Sequence, residues 1–71
     1  MRFLKLEQTV VDGVYPRGSI WVNFDYVLTI QKKVIIRSGK KYAYSLLEMK
    51  NSHPIQVTTP PEELMELLKD L

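Results

Sequence analysis

Few side chains in this chain could move a proton or hold an ion. The single histidine, His53, and the acids Glu62, Glu63 and Glu66 are the candidates for acid–base work. His53 precedes Pro54 in a polar stretch with no triad partners beside it in sequence, so it reads as loop surface. The three acids follow Thr59-Pro60-Pro61, where carboxylates in a first helical turn answer the macrodipole. Gly13, Gly18 and Gly39 stand alone and form no phosphate-cradling loop. Cysteine is absent, which removes a thiolate nucleophile, disulfides and, with one histidine, ordinary Cys/His zinc sites. No catalytic residue, metal or cofactor is expected, and the protein reads as a non-enzyme.

Two other groups of residues carry more information. Phe3, Trp21, Ile35, Tyr42 and Tyr44 are large and apolar or aromatic, and alternation places them on the strand faces opposite Leu4, Leu6, Ile20, Val22 and Ile36. Lys33, Arg37, Lys40 and Lys41 belong to a basic stretch: residues 32–50 hold six cations against Glu48 alone. Residues 1–31 balance three basic with three acidic side chains, and Glu62, Glu63, Glu66 and Asp70 oppose only Lys69 near the C-terminus. Aromatic rings beside cations suit base stacking and phosphate neutralisation. Contiguous apolar surface suits a protein partner, a second copy included.

The elements that must position these groups are mostly strands. Arg2–Gln8 and Ser19–Asn23 alternate with period two, and Asp12-Gly13 and Pro16-Arg17-Gly18 punctuate the connection between them. Asn23-Phe24-Asp25 reads as a tight corner. Val27–Ile30 and Val34–Arg37 are β-branched runs, with Gln31-Lys32-Lys33 as a plausible hairpin connection. At the next turn, a type II′ loop Gly39-Lys40 would set Arg37 opposite Tyr42 and Ile35 opposite Tyr44. The alternative loop, Ser38-Gly39, would face Arg37 with Lys40, an unfavourable like-charge pair. The first register is preferred. Leu46–His53 loses the alternation and reads as a loop or widened hairpin tip, and Ile55–Thr58 as a short last strand.

Thr59-Pro60-Pro61-Glu62 predicts a helix start, with Thr59 as N-cap and Glu62 completing a capping box. Leu64, Leu67, Leu68 and Leu71 then form one apolar stripe. A helix of about eleven residues is too short to stand alone and must dock on the sheet.

The expected fold is therefore β-rich α+β: a small, mostly antiparallel curled sheet or partial barrel of five to six strands with one C-terminal amphipathic helix. Residues 1–71 form a single domain, with the helix at about 60–70. Apolar side chains on both faces need a second cover, which a closed barrel, a second protomer or a ligand would supply. A 71-residue chain buries only about 60% of its surface, and without a disulfide or metal self-association is the remaining staple. The N-terminus meets charge every two or three residues, and no apolar run nears the roughly 20 residues of a membrane span. Neither a secretory leader nor membrane contact is expected, and a cytoplasmic location is the default.

The order of motifs resembles a known family. Ile20-Trp21-Val22-Asn23-Phe24-Asp25-Tyr26-Val27, a hairpin at Ser38-Gly39-Lys40-Lys41-Tyr42 and a closing helix with Glu62-Glu63 are similar to the small FlbD-type flagellar motility proteins. Uncharacterised phage and mobile-element proteins share the pattern. Asn23, Asp25, Val27, Ile30, Ile36, Gly39, Lys40, Glu62 and Glu63 carry the resemblance, over roughly residues 20–45 and 58–68. The segments between Gln8 and Ser19 and over Leu46–Pro54 depart from it. What the resemblance implies is a non-enzymatic accessory protein working through protein contacts, and not a flagellar role. The expected function is an interaction or assembly module acting through the aromatic face Phe3, Trp21, Ile35, Tyr42 and Tyr44. Its expected partners are itself and another protein. The alternative is a nucleic-acid or nucleotide-binding module using Lys33, Arg37, Lys40 and Lys41, with weak, salt-sensitive binding.

Overall fold

The computed structural model describes residues 2–9 and 18–71. Five strands pair antiparallel into one open sheet: β1 (Phe3–Gln8), β2 (Gly18–Asn23), β3 (Val27–Arg37), β4 (Lys40–Met49) and β5 (Ile55–Val57). Their order is β2-β1-β5-β4-β3, and a single helix, α1 (Pro61–Lys69), follows. The β-rich α+β class predicted from alternation is the one observed, with five strands and no closure into a barrel. The predicted turns over residues 10–17 lie outside the described residues. Gly18, the last of their glycines, opens β2 at φ +103°, a conformation that favours glycine.

Between β2 and β3 the chain makes a 3-10 turn, Phe24–Tyr26. Asn23 Oδ1 accepts the Asp25 backbone N–H at 3.0 Å, as expected of an Asn/Asp corner. The Phe24 N–H donates to the Arg2 carbonyl at 2.7 Å, and the Arg2 guanidinium pairs with Asp25 at 3.2 Å. These bonds turn Phe24 inward, where it joins Leu6, Val22, Leu47, Val57 and Leu64 in the core. Leu4, Ile20, Val27, Ile30, Met49, Ile55 and Leu68 pack around them.

Several expectations are corrected. Gln31-Lys32-Lys33 is no hairpin connection, for β3 runs unbroken through it. An edge strand tolerates these polar residues, and two of them are used: Gln31 donates to Glu48 at 3.0 Å, and Lys32 to Glu62 at 2.9 Å. Leu46–Met49 is strand rather than loop, because pairing with β3 on one side and β5 on the other outweighs the lost alternation. Leu47 is fully buried there, opposite both Ile30 and Ile55.

The β3–β4 loop is Ser38-Gly39, with Arg37 opposite Lys40 and Ile35 opposite Tyr42. Ser38 and Gly39 both have positive φ (+50° and +76°), the signature of a type I′ turn, whose twist matches that of the strands. Both cations are exposed to water, which screens their repulsion, so turn geometry outweighs it. The slip moves each partner by two residues and therefore leaves the faces unchanged.

At the helix start the N-cap is Pro60 rather than Thr59, and no side chain caps it. Pro61 still occupies the first turn, where a missing N–H is harmless. The Thr59 carbonyl instead accepts the hydroxyl of Ser45 at 2.6 Å, tying the helix lead-in to a fully buried position on β4. Of the predicted stripe, Leu64 is fully buried and Leu68 packs on the core, but Leu67 and Leu71 are exposed. Ile36, predicted in the core, is 65% exposed, because β3 runs past the helix that would have covered it.

Candidate functional site

The pairing registers connect residues across the whole sheet. Gln8 pairs with Gly18 and Val57, Val57 with Ser45, and Ser45 with Lys32. Alternation from this row puts Leu4, Leu6, Ile20, Val22, Ser45, Leu47 and Ile30 on the face that α1 covers. The Lys32–Glu62 ion pair joins that face to the helix. Phe3, Trp21, Ile35, Tyr42 and Tyr44 fall on the opposite face, as the alternation predicts.

Exposure divides those five residues. Trp21 is 64% exposed, Tyr42 50% and Phe3 42%, whereas Ile35 and Tyr44 are half-buried. Phe3 and Trp21 lie on the β1–β2 hairpin, with Lys5 directly opposite Trp21. Ile35, Tyr42 and Tyr44 lie on the β3–β4 ribbon. Between the two groups β5 ends at Val57, so among the described residues β4 from Lys40 to Tyr44 has β3 as its one strand partner. The outer ribbon thus extends beyond the five-stranded part of the sheet. Its length accounts for the molecule's long dimension, 39 Å against 24 and 19 Å, since eleven residues of strand span roughly 36 Å.

The basic candidates follow the same parity. Lys33, Arg37 and Lys40 share the face of Ile35, Tyr42 and Tyr44, while Lys41 lies on the other, opposite Ile36. Thr9, Thr58, Ile35, Arg37, Tyr42 and Tyr44 line an open groove of about 430 Å3 on this face. On the helix side, the Lys32 hydrogen bond and then Glu62's own backbone N–H hold the Glu62 carboxyl below its ordinary value.

Sequence reasoning missed two features. Gln56 is buried, and its Oε1 has no hydrogen-bond partner among the described residues. Met49, Leu46 and Leu47 belong to a long strand whose signal was hidden by a run without alternation. His53 is exposed, and no group of three or more His, Cys, Asp or Glu side chains with metal-binding geometry occurs among the described residues. No helix among them is long and apolar enough to cross a membrane. Comparison of the chain with protein families, curated proteins and solved structures found no match.

Proposed function

We propose that the chain is a non-enzymatic interaction or assembly module that self-associates through the sheet face opposite its helix. The observation that carries this is the exposure of Trp21, 64%, on an open sheet whose other face holds the core. A large aromatic ring left in water beside Phe3 is what a protein contact would bury, and such rings dominate interface energetics. The strand order leaves β2 and β3 at the two edges, where among the described residues no further strand pairs with them, and an edge can pair with another chain. A second copy satisfies both needs, and a further protein partner would then meet the assembled surface. The resemblance to FlbD-type and phage or mobile-element accessory proteins supports the same class of role, in the cytoplasm.

Light-scattering mass tests this reading. At about 100 μM, where contacts even weaker than micromolar are populated, the wild type is expected to exceed the monomer mass. Trp21→Ala and Phe3→Glu are expected to shift it toward monomer with the β signal of circular dichroism retained. A monomeric wild type whose Trp21 fluorescence is already blue-shifted and resistant to quenching would overturn it.

A further inference from the structure

The sheet face that α1 covers continues beyond the helix. Lys32 bonds to Glu62 in the first helical turn, and two further rows of the ribbon lie between it and the Ser38-Gly39 turn: Val34 with Ala43, and Ile36 with Lys41. These rows share the parity of Lys32 and so extend the helix-side face. Val34 and Ile36 are more than half exposed. Lys41 is exposed and pairs with no carboxylate among the described residues. The ribbon thus presents two apolar side chains and a cation on the side where its own chain carries an acidic helix.

That helix has an unused flank of matching chemistry. At 3.6 residues per turn, Glu62 and Met65 lie on one side of the buried Leu64, and Glu63 and Leu67 on the other. Glu62 is taken by Lys32, and Glu66 by Lys69. Glu63 pairs with no cation among the described residues, and Leu67 beside it is exposed.

Spacing fits as well as charge. Glu63 and Leu67 stand about 6 Å apart along the helix axis, and the Val34 and Ile36 rows about 7 Å apart along the strand. With Leu67 over the row of Val34 and Ala43, Glu63 falls over the row of Ile36 and Lys41. Within one chain no ion pair joins Glu63 to Lys41. A second copy supplies the missing half of each surface.

We propose that the helix-side face of the ribbon, Val34, Ile36 and Lys41, receives the Glu63–Leu67 flank of α1 from another copy of this chain. The two surfaces differ, so the contact is heterologous and adds copies head to tail, into a ring or an open chain. It is separate from the Trp21 face and does not depend on it.

Light scattering on the full-length Trp21→Ala protein tests this contact with the other face weakened. At about 1 mM, where contacts of millimolar affinity are populated, its average mass is expected to exceed the monomer and to rise with concentration. In that background Lys41→Glu and Glu63→Lys are each expected to weaken association about tenfold, because an attractive pair becomes a like-charge pair. A 1:1 mixture of these two variants is expected to restore the mass, since every joint again sets an acid against a cation. Restoration also shows that both variants are folded. Leu67→Ala is expected to weaken association, while Met65→Ala, on the opposite flank, leaves it unchanged. A Trp21→Ala protein that stays monomeric at about 1 mM would sink the proposal. So would a mixture no heavier than its two components, or an equal effect of Met65→Ala. The sheet-face reading is judged by wild type against Trp21→Ala at about 100 μM, so either contact can fail while the other stands.

Discussion

Glu62 shows how one substitution reports on the placement of the helix. Its carboxyl titrates below the ordinary value in the folded chain, first because Lys32 donates to it across the sheet–helix boundary and second because of its own backbone N–H. A carboxyl whose value is lowered by folding adds stability above its unfolded value, and that stability is lost as pH falls through the lowered one. The contribution is therefore complete at neutral pH and disappears only under acid. The pair is open to solvent, so salt screens it. Lys32→Met is expected to raise the Glu62 titration toward the ordinary carboxylate range, as read by NMR of its side-chain carboxyl. It is also expected to lower the melting temperature at neutral pH but not below the lowered value. An unchanged titration would mean that the ion pair does not persist in solution.

Helix docking illustrates what the sequence made legible and what it hid. The 3.6-residue period of Leu64, Leu67, Leu68 and Leu71 predicted a docked helix, and α1 does dock. Periodicity alone could not rank the four, because a nine-residue helix meets the sheet along only part of its stripe. Burial ranks them: Leu64 is fully covered and Leu67 is 43% exposed. Leu64→Ala is expected to cost about 2–5 kcal/mol and Leu67→Ala under about 1 kcal/mol, read from chemical denaturation. Thr59→Ala is expected to be nearly silent, since the carbonyl of Thr59, and not its hydroxyl, receives Ser45. Equal losses at Leu64 and Leu67 would require a different helix orientation. The same contrast runs through the strands. Alternation at Leu4, Leu6, Ile20 and Val22 placed β1 and β2, and the Asn23-Phe24-Asp25 corner was legible from side-chain chemistry. The β3–β4 register was not, because like-charge avoidance pointed to one loop and backbone twist to the other. Face assignments survived the error, since a slip of two residues preserves parity. Leu46–Met49 was illegible for another reason: Leu46 and Leu47 are consecutive apolar residues on opposite faces, which breaks the alternation.

At the scale of the whole molecule, stability is unevenly shared. Leu6, Val22, Phe24, Leu47, Val57 and Leu64 concentrate the core between α1 and the part of the sheet formed by β1, β2, β5 and the Ser45–Met49 end of β4. Beyond Tyr44 toward the turn, the ribbon is two strands wide, and Val34, Ile36 and Tyr42 remain exposed. A two-stranded ribbon is marginal in water unless something covers it. Its hydrogen bonds should therefore open by local fluctuation, while those near Ser45–Leu47 open only with the global transition. Native-state hydrogen exchange on dilute protein is expected to show fast exchange for the hydrogen-bonded amides of residues 34–37 and 40–43. Slow exchange is expected for those of Leu6, Leu47 and Val57. Raising the protein concentration is expected to protect β1 and β2 amides first, because the proposed self-association is centred on Trp21 and Phe3. Ribbon amides as slow as the core in dilute protein would contradict this division, because among the described residues no third strand pairs with the extension.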